Sequence, residues 1–66
     1  MKFTLGTKPN NNGNIYRVEI DTENKIYKKG CSICSWNIDF YVTKEEINNF
    51  IKYELKTKGF KEVDTI

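Results

Sequence analysis

The sequence contains no histidine, no alanine and no glutamine, and it has one arginine (Arg17), one proline (Pro9), one methionine (Met1) and two cysteines, Cys31 and Cys34. Each gap narrows the chemistry. Histidine is the commonest general base near neutral pH and the commonest metal ligand, so its absence closes most routes to acid–base or metal-assisted catalysis. Two thiols fall short of the roughly four ligands of a structural zinc site, so holding zinc would take a second chain or recruited carboxylates. Long apolar runs are also missing. The start, Met1-Lys2-Phe3-Thr4-Leu5-Gly6-Thr7, is too polar for a signal peptide, and no stretch approaches membrane length. The expected setting is the cytoplasm, with no membrane contact.

What is present fits one small domain. At 66 residues the chain lies near the lower limit for a core that folds unaided. Its 38% apolar content and modest net charge of +2 argue against intrinsic disorder. A pI near 8.6 is mildly basic, well short of a DNA-wrapping protein and opposite in sign to a nucleic-acid mimic. Lysine, asparagine and isoleucine supply 10, 8 and 8 residues. All three use A/T-rich codons, a bias that points to a low-GC genome, where short chains of this kind are common in phages and mobile elements.

Along the chain, Phe3 and Leu5 alternate as in a half-buried strand that stops at the polar loop Pro9–Asn14, whose Asn12-Gly13 step readily takes positive φ. Tyr16, Val18 and Ile20 share one face of the next strand. Asp21–Lys25 reads as a three-residue hairpin turn with Asn24 left-handed, which sets Ile20 against Ile26 and turns Lys25, Tyr27 and Lys29 outward. Cys34, Trp36, Ile38, Phe40 and Val42 then alternate strictly, the pattern expected of the central strand. Thr43-Lys44-Glu45-Glu46 has the form of a capping box, Ile47, Phe50, Ile51 and Leu55 follow at helical spacing, and Gly59 is a left-handed stop. Phe60–Ile66 is a candidate closing strand anchored by Val63 and Ile66. The expected fold is α+β: an antiparallel sheet of four strands, or five with the closing one, and one C-terminal helix packed on one face.

The chemistry-bearing residues are few. Cys31-Ser32-Ile33-Cys34 lies between two expected strands, away from the helix start whose dipole would lower a thiol pKa, so a buried Cys34 and a turn Cys31 are the simpler reading. Glu45 and Glu46 sit in the first helical turn, where they serve the dipole. No nucleophile has a visible base, and the glycines are scattered. An enzyme is not expected, and no cofactor is implied.

The uncovered sheet face is the remaining candidate. On the expected register it displays Arg17, Lys25, Tyr27, Lys29 and Tyr41, a mixture that resembles interface hot spots. The same face carries Ile15, Glu19, Asn37 and Asp39. Tyrosine, lysine and glutamate are equally at home on any solvated sheet face, where they stabilise cross-strand pairs.

From Asn14 to Lys58, a three-stranded sheet followed by a helix, with an aromatic third strand and the Thr43-Lys44-Glu45-Glu46 helix start, resembles the amino-terminal arm-binding domains of tyrosine recombinases. The likeness lies in element order. It implies a sheet face that reads DNA, although this chain has fewer basic residues on its strands than that family.

The leading expectation is thus a small non-enzymatic protein-binding module, a phage or mobile-element inhibitor or modulator of a host protein, for which anti-CRISPR and other counter-defence factors are examples. It would act through Arg17, Tyr27 and Tyr41 or through a free strand edge. The alternative is DNA binding with phosphate contacts from Arg17, Lys25, Lys28 and Lys29. A homodimer bridged by metal-bound thiolates is the third.

Overall fold

The computed structural model describes residues 1–32 and 38–64. Its elements are β1 (Lys2–Gly6), β2 (Ile15–Asp21), β3 (Ile26–Ser32), β4 (Phe40–Tyr41), α1 (Lys44–Phe50) with a π-helical continuation (Ile51–Leu55), and β5 (Lys61–Glu62). The expected α+β class holds, with one face of the sheet covered by the helix. The strands form one sheet in the order β4-β1-β2-β3-β5. It is mixed rather than purely antiparallel: β1–β2 and β2–β3 are antiparallel, but β4 runs parallel to β1, and β5 runs parallel to β3.

The β1–β2 hairpin pairs Phe3 with Ile20 and Leu5 with Val18, which puts four apolar side chains on the helix face. Its polar loop closes on Asn10, and Gly13 takes a φ of 78°. The side-chain oxygen of Asn10 accepts from the backbone N–H groups of Asn12 and Asn14.

The β2–β3 turn differs from expectation. Its loop has four residues, with Asp21 paired to Ile26 and Ile20 to Tyr27. Asp21 Oδ1 accepts the N–H groups of Glu23 and Asn24, while Asn24 Nδ2 donates to Oδ2. The left-handed residue is Lys25, at φ 55°, and not Asn24. One extra loop residue moves every β3 side chain to the other face. Tyr27 therefore points inward and is only 2% exposed, whereas Ile26 lies on the opposite face.

The strand expected at the centre is also corrected. Of its residues, 34–37 lie outside the described ones, and Phe40–Tyr41 form a two-residue edge strand beside Leu5 and Gly6. The centre is β2, with neighbours on both sides. Apolar alternation reports burial of a strand's faces and carries no information about its hydrogen-bonded edges.

The helix follows its local signals. Thr43 Oγ1 accepts the Glu46 N–H at 3.1 Å, and Gly59 sits at φ 86°. At the C-terminus Phe60 N–H donates to Leu55 O and Gly59 N–H to Lys56 O, the two bonds of a Schellman stop. Ile47, Ile51 and Leu55 are all buried at spacings of four. A row at that spacing drifts around an α-helix, and the wider π turn drifts it back, keeping the three side chains over the sheet. They complete a core with Leu5, Val18, Ile20 and Tyr27, flanked by Phe3, Tyr16, Val42, Phe50 and Phe60. Finally, Lys61 N–H and Val63 N–H donate to Lys25 O and Tyr27 O, so the closing strand forms with Val63 half-buried. Ile66, its other expected anchor, lies outside the described residues.

Candidate functional site

The five residues expected to share one open face do not converge. Tyr27 belongs to the core. Burial pushes its phenol above the ordinary 10.0, with the Glu62 carboxylate adding to the shift and Lys29 opposing it. Lys25 sits in the β2–β3 turn. Lys29 is register-paired with Val18, hence on the helix side, where its Nζ lies 4.0 Å from Glu62. Arg17 and Tyr41 do lie on the outer face, but two strands apart.

That outer face is also partly covered. An added Cβ on Gly6 would lie 2.6 Å from Ile38 Cδ1, so the Ile38 side chain rests directly on the glycine. Asp39 clasps β1 beside it: its Oδ2 accepts the Thr4 N–H at 2.7 Å, and its own N–H donates to Thr4 O. Thr4 and Ile15 are buried here. What stays accessible is a polar strip in which Arg17 Nη1 and Glu19 Oε1 pair at 3.2 Å and Lys28 stands opposite Glu19. Phosphate contacts would compete with that ion pair.

Cys31 lies within β3 rather than in a turn, and it is exposed. Cys34 lies outside the described residues.

The structure instead gathers exposed apolar surface at the β4 edge. Phe40 is 59% and Tyr41 51% exposed, far more than a sheet aromatic needs to be. Their register partners, Leu5 and Gly6, place the two rings on opposite faces of the sheet. The Phe40 ring meets Phe3 edge-on with centroids 6.5 Å apart, and Phe3 in turn meets Phe50 of the helix at 6.4 Å. This chain of edge-to-face contacts fixes the direction of Phe40 while leaving its outer surface wet. Each ring borders a hollow. One, of about 320 Å³, is walled by Met1, Phe3, Asp39 and Phe40. The other, of about 450 Å³, is walled by Thr7, Lys8, Tyr41, Thr43 and Lys44. As the outermost strand, β4 has no strand on its far side among the described residues.

The sequence reading included Tyr41 but missed Phe40, Phe3 and Met1, because it assigned Phe40 to the core face of a central strand. The Thr43 cap marks where that strand ends, but nothing local marks where it begins or which strand it joins.

Comparison of the chain with protein-family models, with curated proteins and with solved structures gives no match. Any functional reading therefore rests on the geometry. No helix among the described residues is long and apolar enough to cross a membrane.

Proposed function

We propose that this chain is a non-catalytic protein-binding module that takes an extended segment of a partner protein along β4, and that it serves to inhibit or modulate that partner, a host protein in the setting of a phage or mobile element. The observation that carries the reading is the pair Phe40 and Tyr41: half-exposed aromatic residues on an edge strand, one per face, each beside its own hollow. Strand addition needs that arrangement. The partner's backbone supplies hydrogen bonds to the edge, and its alternate side chains fall into hollows on the two faces. Aromatic side chains at such positions contribute disproportionately to affinity. The net charge is only +2, and Arg17, the single arginine, is ion-paired with Glu19, which favours a protein partner over nucleic acid.

The test is capture of a partner from lysate of a low-GC bacterium, with nuclease present and washes at moderate salt, comparing the native chain with a Phe40→Ser/Tyr41→Ser variant. One stoichiometric protein retained by the native chain and lost from the variant is the expected result. Retention by both would move the site elsewhere. Recovery of nucleic-acid-dependent material alone, declining steeply with salt, would replace the reading with DNA binding.

A further inference from the structure

The chain has eight asparagines, and one of them, Asn12, is followed by glycine. A glycine neighbour lets the backbone nitrogen approach the asparagine side chain without obstruction. Asn12 is exposed at the tip of the β1–β2 loop, and around Gly13 the space where a Cβ would stand is open. From this we infer that Asn12 is a site of spontaneous covalent modification, by succinimide formation and hydrolysis, and that Asn10 sets its rate by holding the loop closed.

The chemistry needs only water. The Gly13 backbone nitrogen, after losing its proton, attacks Cγ of Asn12. The N–Cγ bond forms, the Cγ–Nδ2 bond breaks, and ammonia leaves with the proton. Water then adds to either carbonyl of the five-membered ring. Cleavage at Cγ–N yields aspartate, and cleavage at the backbone carbonyl yields isoaspartate, whose main chain is one methylene longer. No electrons change hands. Either product carries a new carboxylate and lowers the formal charge of +2 by one unit.

The structure shows why this reaction is held back in the folded chain. The attacking nitrogen is not idle: Gly13 N–H donates to Asn10 O at 2.9 Å, and an accepting carbonyl opposes removal of that proton. The Asn10 side chain fastens both sides of the reacting step, its Oδ1 accepting Asn12 N–H at 2.9 Å and Asn14 N–H at 3.0 Å. Asn10 N–H donating to Asn14 O at 3.0 Å closes the loop. Ring closure requires these bonds to open. The isoaspartyl product would lengthen the backbone inside the clamp, so the modified loop would not reclose in the same way.

The experiment is to age the folded native chain, an Asn10→Ala variant and an Asn12→Gln variant at mildly alkaline pH. Peptide mapping follows the gain in mass from exchange of NH₂ for OH, and enzymatic methylation detects isoaspartate. The native chain aged in strong urea gives the clamp-free rate. Modification is expected at Asn12, absent from Asn12→Gln, and about tenfold faster in Asn10→Ala, given the net worth of the two side-chain hydrogen bonds removed. It is expected to be faster in urea by at least as much. Modification falling mainly on another asparagine, or none in Asn10→Ala, would overturn the site. Equal rates for the folded native chain and the urea-unfolded chain would overturn the role of the clamp, whatever the fold of the Asn10 variant.

Discussion

Tyr27 gives the sharpest test of the register that separates core from surface. Its ring is 2% exposed and packed among Ile20, Leu55 and the rest of the helix-side cluster, while its neighbour Ile26 is half-exposed on the other face. Truncating a buried aromatic to alanine costs about 3–5 kcal/mol, and a domain of this size has about 3–10 kcal/mol in total, so alanine would come close to unfolding the chain. Tyr27→Leu keeps an apolar side chain and leaves a smaller void, for which about 2 kcal/mol is expected. In a domain of this length that lowers Tm by about 10 °C. Ile26→Thr is the control. On a half-exposed face it costs less than about 1 kcal/mol, but in a core position the buried hydroxyl would cost about 2 kcal/mol or more. Urea denaturation of both variants, followed by far-UV circular dichroism, reads the difference directly. A large loss in Ile26→Thr beside a negligible one in Tyr27→Leu would refute the four-residue turn and every face assignment on β3.

Other perturbations probe separate elements. Gly6→Ala sets the new methyl against Ile38 Cδ1 at 2.6 Å and should cost about 1–2 kcal/mol, an overpacking penalty less the entropic gain of replacing glycine; in an Ile38→Ala background, denaturation should show that cost gone. Thr43→Ala removes the side chain that caps Glu46 N–H, with an expected loss of about 1 kcal/mol in the same assay. Asp21 has its carboxyl held below the ordinary 3.8, first by the Asn24 side chain and then by the Asn24 and Glu23 N–H groups and the Lys2 charge, against the opposing effect of burial. A lowered folded-state pKa means that its contribution is full above 3.8 and is lost as pH falls through the folded value. The stability difference between the native chain and Asp21→Asn should therefore shrink on acidification below that point, and a difference that stays constant would contradict the assignment.

How much of this was legible in the sequence follows from the range of the interactions. The helix and its ends were readable because the signals are local: Thr43 caps a group three residues away, and Gly59 with Phe60 closes the last turn. The β1–β2 hairpin was readable for the same reason, through the loop at Gly13. The β2–β3 register was not. Ile26 and Tyr27 are both apolar enough to be the inward residue, and the choice depends on a turn in which Lys25, a poor candidate for positive φ, takes the left-handed position. The side-chain bonds between Asp21 and Asn24 hold that turn. The place of β4 was hidden for a different reason: pairing Phe40–Tyr41 with β1 joins residues some 35 positions apart, as in the Thr4–Asp39 bond, and no local pattern encodes it. Of the candidate site, Tyr41 was visible from its position opposite the core alternation, while Phe40 was mistaken for core.

The most direct test of strand addition at β4 is amide hydrogen exchange on the chain alone and in complex with the protein it captures. The account predicts new protection within β4 at amides that do not already bond β1, as those of Asp39 and Val42 do through Thr4 O and Gly6 O, with the amides of Arg17, Lys28 and Lys29 unchanged. Protection confined to the Arg17–Lys28 strip, with the β4 amides exchanging as in the free chain, would contradict it.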